Sequence, residues 1–211
     1  MTEIDFKWSW IYESVIHNPT VKEEFNYEEY EKFINSFLGR VKPIWKNKEK
    51  EILSYIEEIT ELKWKNENIP MYLIKISSLF PISDPLTIPI QLESEDEIIT
   101  LSKERFIDML VHEIIHNFFI QNEEEIGDYF NFILEKYKDE EFDTSIHLLL
   151  HAIHKKIFLK YFDEERLNGE IEMNSYYPAY KRSWEIVNKV GEDNIIKEFK
   201  NYINGLPNEI M

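Results

Sequence analysis

The segment 106–119 constrains the fold of this chain more than any other, because it is apolar around most of a helical circumference. A helix of this kind is normally buried, so the rest of the chain must supply a core around it. Its polar residues form one stripe, with Asp108, His112 and His116 one turn apart and Glu113 and Asn117 beside them. Eight of the other positions are filled by Phe106, Ile107, Leu110, Val111, Ile114, Ile115, Phe118 and Phe119.

The polar stripe contains the string H-E-I-I-H, from His112 to His116. A helix has about 3.6 residues per turn, so both imidazoles lie on one face and can reach the same ion. A buried glutamate between two histidines is costly unless something pairs with it, and a divalent metal with its bound water would do so. The alternative is a partly exposed helix whose histidines are only hydrogen-bonded.

The H-E-x-x-H string resembles the zinc-binding signature of the zincin metallopeptidases. The resemblance implies a zinc ion held by His112 and His116, and a general base, Glu113, that takes a proton from the metal-bound water. It covers roughly residues 70–162, where strands precede the motif helix as they do in zincins. In that family an edge strand binds an extended peptide substrate by strand addition. We recognise no particular subfamily.

A catalytic zinc needs a third protein ligand and one open position. The metzincin pattern asks for glycine and histidine where this chain has Phe119 and Asn122, which excludes that subclass. Some gluzincins place a glutamate ligand 19 residues after the second histidine, which here is Glu135. However, Glu135 recurs at helical spacing with Asp128 and Asn131, so a solvated helix face explains it better than metal binding does.

His147 and His151 are stronger candidates for the third ligand. They are the only polar side chains of the segment 146–153, and a helix that is apolar all round is buried. Ala152 permits a close approach of this helix to the motif helix, which slightly favours His151. The other possibility is that these residues are ordinary core or surface histidines. His154, beside two lysines, is expected to begin an exposed face, and His17 is expected at the surface.

Three further residues are weaker candidates for roles near a metal. Asp108 lies one turn before His112, where it either orients a ligand histidine or is a solvated surface residue. Tyr180 and Arg182 lie in a polar cluster that follows Pro178, and they are weak candidates for stabilising an oxyanion.

The remaining pattern predicts an α+β fold: mostly helical, with a small mixed sheet whose edge strand packs on the motif helix. One helix is expected from residue 26 or 27 to Gly39, and a second from Pro43. Strands are expected at 71–77 and 86–92, and Pro89 favours a sheet edge for the second. Ser102 is expected to cap the motif helix. Later helices are expected at 124–138, from Asp143 or Thr144 to about 162, and within 176–204.

The length of 211 residues favours one domain, with an N-terminal helical region (1–66), a zincin-like catalytic core (67–162) and a C-terminal helical region (163–211). A net charge of −17 disfavours binding to nucleic acid. The chain has no cysteine, which excludes disulfides and cysteine zinc ligands. Neither a signal peptide nor a membrane span is recognisable, so a cytoplasmic protein is expected. The oligomeric state stays open.

These observations together predict a metallopeptidase that binds one Zn²⁺ per chain and hydrolyses a peptide or protein substrate. An alternative is a non-catalytic interaction module that a metal stabilises. A more remote alternative is a carboxylate-bridged di-iron protein, because Glu113 and His116 also form an E-x-x-H pair, but that class needs a second such pair on a partner helix.

Overall fold

The computed structural model describes residues 2–16, 26–77, 81–93 and 97–206, so the prediction for His17 lies outside the described residues. The fold is α+β, mostly helical with a small mixed sheet, as predicted. The elements are β1 (Glu3–Lys7), α1 (Trp10–Ile16), α2 (Tyr27–Thr60), β2 (Asn68–Ser77), β3 (Ile82–Ser83), β4 (Leu86–Glu93), β5 (Ile98–Thr100), α3 (Lys103–Gln121), α4 (Glu123–Lys136), α5 (Phe142–Tyr161), α6 (Glu164–Asn174), α7 (Pro178–Val190) and α8 (Glu192–Ile203).

The chain forms two compact units. The first comprises Met1–Lys50 and Asn66–Asn117, and it contains the sheet and most of α3. The second comprises Glu51–Lys65 and Phe118–Met211, and it contains α4 to α8. Among the described residues, no helix is long and apolar enough to cross a membrane.

The sheet has the strand order β1-β2-β4-β3, and β5 also pairs with β4. The pairs β1–β2 and β2–β4 are parallel, whereas β3 and β5 run antiparallel to β4. The prediction that the strand containing Pro89 lies at the sheet edge is therefore wrong. That strand, β4, has β2 on one side and two short strands on the other. The proline is accommodated because, among the described residues, β3 pairs with Leu86 and Thr87 and β5 pairs with residues 91–93, so neither strand pairs with position 89.

The region 1–66, which was predicted to be helical, contains α1 and α2, but it also contains β1, which was not predicted and which joins the sheet. Glu49, which lies in α2 and is 7% exposed, secures this strand. Its carboxylate accepts hydrogen bonds from the Ile4 amide at 2.7 Å, from Trp45 Nε1 at 2.9 Å and from Lys46 Nζ at 2.7 Å. The strand has only two buried residues, Ile4 and Phe6, which is too short an alternation to reveal it in the sequence.

Gly39 and Pro43 do not divide the N-terminal helical segment as predicted, because both lie inside the single 34-residue helix α2. Pro43 has no amide hydrogen to donate to the carbonyl of Gly39, one turn earlier in the helix. Both residues are exposed, so water can donate to this carbonyl instead. The buried stripe continues through the proline, and this continuous burial outweighs the cost of the lost hydrogen bond. The stripe comprises Tyr30, Ile34, Phe37, Val41, Trp45, Ile52, Leu53 and Ile56.

Helix α3 forms as its sequence predicted. The Ser102 hydroxyl accepts a hydrogen bond from the Arg105 amide at 3.0 Å, which confirms the predicted N-cap. Eight of the nine apolar residues of the segment 106–119 are buried, and Met109 is half-buried. Phe106 packs edge to face on Phe37 of α2, with ring centroids 5.1 Å apart. The burial of this apolar surface fixes the direction in which the polar stripe of α3 points.

In the second unit, α5 packs against α4, α6, α7 and α8. Helix α6 lies in the region 163–211 that was predicted to be helical, although no separate helix was predicted at its position. Its first turn is capped by the side chain of Asp163, which accepts from the Arg166 amide at 2.8 Å. The N-cap of α5 is Glu141 rather than Asp143 or Thr144. His154 is fully buried, so its predicted exposure is wrong. Its ring lies against Phe158 and near Trp184 of α7, which covers this face of α5.

Candidate metal centre

Helix α3 presents His112 and His116 one turn apart, as the motif spacing predicted. Their ring centroids lie 5.0 Å apart with the ring planes inclined at 63°. His112 is 7% exposed, whereas His116 is half-buried. The buried apolar faces of α3 leave little freedom to turn this pair, so the geometry is set by the packing of the helix.

His147 of α5 completes a group of three histidines with ligand nitrogens that all lie within 4.8 Å of one another. Zinc–nitrogen bonds are about 2.0–2.1 Å long, so shifts of roughly an ångström would bring all three rings onto one ion. The three residues are thus close enough to bind a metal ion. Among the described residues, these three histidines are the group of potential metal-binding side chains. The third member is His147, whereas the sequence slightly favoured His151 as the third ligand.

The hydrogen bond made by His147 fits a metal ligand. Its Nδ1 lies 2.6 Å from the carbonyl oxygen of Asp143. A carbonyl only accepts, so Nδ1 carries the proton and Nε2 of the neutral ring has the lone pair that binds a metal. Burial lowers the pKa of His147, which favours this neutral form, while the bond to Asp143 acts in the opposite direction.

Glu113 lies on α3 beside the histidine stripe and is 8% exposed. The Ser83 hydroxyl donates to Glu113 Oε2 at 2.6 Å. Ser83 is itself held by Asn117, whose Nδ2 donates to the Ser83 carbonyl oxygen at 2.8 Å. Two side chains of α3, one turn apart, thus secure the short strand β3 and fix the direction of the Glu113 carboxyl.

Burial raises the pKa of Glu113 to about 7, and the Ser83 hydrogen bond acts in the opposite direction. The cause is that a buried carboxylate loses its hydration, so the neutral acid is favoured. A cation bound by the neighbouring histidines would lower this pKa again, because an opposite charge stabilises the ionised form.

His151 and His154 face α7. His151 Nδ1 lies 2.9 Å from Ser183 Oγ, and its ring stacks on Trp184 with centroids 4.2 Å apart and planes inclined at only 11°. Because α7 covers this part of the stripe, the two histidines belong to the core of the second unit. His147, nearer the start of α5, is the member of the stripe that joins His112 and His116.

The weaker candidates occupy different environments. Asp108 is 6% exposed, which contradicts the solvated alternative for this residue. Glu135 is exposed on α4, as a solvated face requires. The ring of Tyr180 lies 4.2 Å from that of His147. Arg182 is exposed and bonded to both carboxylate oxygens of Glu140, at 3.0 and 2.6 Å, so its charge is already balanced.

Sequence reasoning missed the role of Ser83. It belongs to a loop-like stretch between two prolines, Pro81 and Pro85, and its contact with Glu113 spans 30 positions of the chain. No local pattern signals such a contact. Asn117 carried a partial signal, because it is the last polar residue beside the stripe of a helix that is otherwise apolar.

No family model, curated protein or solved structure matches this chain. The functional inference therefore depends on the geometry of the site and on its chemistry.

Proposed function

We propose that this protein is a zinc-dependent metallopeptidase with a zincin-like catalytic centre. The observation that carries the proposal is the convergence of His112, His116 and His147 within 4.8 Å, beside the buried carboxyl of Glu113. Three imidazoles and one open position are the ligand set of a catalytic zinc site, whereas structural zinc sites are closed by a fourth protein ligand. A peptide or protein is the proposed substrate.

The three histidines would hold the ion through one nitrogen each. When bound, zinc supplies a Lewis acid that polarises a carbonyl oxygen and lowers the pKa of water. Neutral imidazole also suits iron and manganese, so the identity of the metal is part of the proposal. The proton on Nδ1 of His147 supports Nε2 as the ligand atom.

Glu113 is the proposed general base and acid. Its position next to His112 in the sequence puts the carboxyl at the edge of the histidine stripe. Oε2 accepts the hydrogen bond from Ser83, and we assign the proton transfer to Oε1. Glu113 would take a proton from a water molecule as the water oxygen adds to the peptide carbonyl, and it would return that proton to the amine that leaves when the C–N bond breaks. Ser83 and Asn117 act by holding that carboxyl in one direction.

The order of elements supports the likeness to zincins. Strands β2 and β4 form the centre of a mixed sheet, and the motif helix α3 follows the sheet directly in the chain. Strand addition to β4 is not part of the proposal, because β4 already has neighbours on both sides. A cytoplasmic location stays a prediction from the sequence.

A second candidate is a non-catalytic module in which the metal only stabilises the fold. The observation that favours it is the buried, hydrogen-bonded state of Glu113, which also suits a structural side chain. The di-iron alternative is less compatible, since the potential ligand group among the described residues consists of three histidines and no carboxylate.

The test is the variant Glu113→Gln in the zinc-reconstituted full chain, assayed with a mixture of internally quenched peptides. Loss of a general base is expected to lower kcat by about 10²- to 10⁴-fold while the zinc content stays unchanged. Glu104→Gln is the matched control, because Glu104 is an exposed residue in the first turn of the same helix. Hydrolysis at the wild-type rate by Glu113→Gln would refute the mechanism. Zinc binding without any hydrolysis by the wild type would favour the non-catalytic module.

A further inference from the structure

The turn that joins α6 to α7 carries two tyrosines at the surface. Tyr176 is 83% exposed and Tyr177 is 37% exposed. Single exposed apolar side chains are ordinary on proteins and need no explanation. These two rings, however, contact each other edge to face, with centroids 5.3 Å apart and planes inclined at 87°.

The ring contacts continue from this turn to the candidate metal ligand. Tyr177 lies 5.6 Å from Tyr180, and Tyr180 lies 4.2 Å from His147, measured between ring centroids. We call Tyr176, Tyr177 and Tyr180 the tyrosine track. Each ring contacts the next, so the track runs from the exposed surface of the second unit to one of the three histidines.

The backbone holds the track in a defined position. The Tyr176 amide donates to the Met173 carbonyl at 3.3 Å, and the Tyr177 amide donates to the Asn174 carbonyl at 3.0 Å. Pro178 occupies the first turn of α7, where its fixed φ suits the helix. A tyrosine has few rotatable bonds, so rings on a fixed backbone lose little entropy when they bind a ligand.

We propose that the tyrosine track binds an aromatic side chain of the peptide substrate, close to the bond that is hydrolysed. This inference rests on the proposed function, and it names the class of substrate. Aromatic rings associate edge to face or offset-stacked, and a ring that contacts Tyr176 and Tyr177 would extend the arrangement already present in the track.

The experiment compares two peptide substrates that differ only in one residue beside the scissile bond, which is phenylalanine in one and alanine in the other. For the zinc-reconstituted wild type we expect kcat/KM to favour the phenylalanine peptide by about ten-fold. The double variant Tyr176→Ala, Tyr177→Ala is expected to lose that preference. Tyr27→Ala is the control, because Tyr27 is a 45% exposed tyrosine of the first unit.

A binding measurement separates this inference from the proposed function. Zinc-loaded Glu113→Gln protein is titrated with both peptides in a calorimeter, with and without the two tyrosine substitutions. A preference for the phenylalanine peptide that disappears with the substitutions supports the track, even if the wild type hydrolyses nothing and the proposed function fails. Hydrolysis or binding with equal preference for both peptides, or a preference that survives the double substitution, overturns it. Absence of both hydrolysis and binding overturns both.

Discussion

Replacing Ser83 with alanine tests whether the direction of the Glu113 carboxyl matters for catalysis. The Ser83 hydroxyl donates to Glu113 Oε2 at 2.6 Å, whereas the Ser83 carbonyl accepts from Asn117. Alanine keeps that backbone bond and removes only the hydroxyl. Glu113, which is 8% exposed, then loses the donor that orients it.

The size of the effect follows from the character of this hydrogen bond. A bond to an ionised group contributes about 1.5–3 kcal/mol, which corresponds to roughly a ten- to hundred-fold fall in kcat if it is lost in the transition state. We expect KM and zinc content to stay unchanged, because Ser83 is not among the residues proposed to hold the metal or the substrate. Ser83→Thr keeps a hydroxyl and is expected to retain most of the activity.

The control is Ser102→Ala, which removes a serine hydroxyl from the N-cap of the same helix. The loss of a cap is expected to lower the free energy of unfolding by about 1 kcal/mol without a change in kcat. Steady-state kinetics and urea unfolding are measured on the zinc-loaded proteins. A kcat for Ser83→Ala within about two-fold of wild type would refute the positioning role, and so would an equal loss of kcat in Ser102→Ala.

Three further predictions concern stability, and urea unfolding measures each. Glu49→Ala removes the buried acceptor of the Ile4 amide and is expected to lower the free energy of unfolding by about 3 kcal/mol; a loss below about 1 kcal/mol would mean that β1 is held otherwise. Pro43→Ala, at an exposed position inside α2, is expected to raise the free energy of unfolding by about 1–3 kcal/mol, and a decrease in that free energy would contradict the prediction. Gly169→Ala, in α6, is expected to raise the free energy of unfolding by about 0.5–1 kcal/mol, because the added Cβ meets open space. Gly191→Ala, at φ +90°, is expected to lower it by about 1–2 kcal/mol. A Gly191→Ala protein more stable than Gly169→Ala would refute this reasoning about the backbone.

The motif helix was predictable because all of its signals are local. The apolar pattern at helical spacing, the cap at Ser102 and the isolated polar stripe lie within about twenty consecutive residues, and they agree with one another. The same pattern predicts which face is buried, and therefore that His112 and His116 share a direction. The strands at 71–77 and 86–92 were predictable for a similar reason, the first from an apolar run of strand length and the second from its alternation of apolar and other residues.

The features that the sequence did not reveal depend on contacts between distant residues. Gly39 and Pro43 are signals for a helix end, but the tertiary burial of the stripe around them overrides local preference. Pro89 is tolerated in β4 because two short strands leave a gap beside it, which only the sheet topology shows. Strand β1 is identified by its pairing with β2 and by the carboxylate of Glu49.

The third histidine was predictable only as one of a pair. His147 and His151 lie on one stripe of α5 with the same apolar surroundings, and the spacing alone does not separate them. What separates them is tertiary packing: His151 contacts Ser183 and Trp184 of α7, whereas His147 groups with His112 and His116. Ser83 lacked any local signal, because its role depends on a contact with α3.

The measurement that tests the central claim most directly is the zinc content of the purified full chain after reconstitution, by elemental mass spectrometry. The samples are the wild type and two matched variants, His147→Gln and His151→Gln, with folding verified by circular dichroism. We expect about one zinc ion per chain in the wild type and in His151→Gln, and loss of zinc from His147→Gln. Zinc that is absent from the wild type, or that is retained by His147→Gln and lost from His151→Gln, would contradict the assignment of this metal centre.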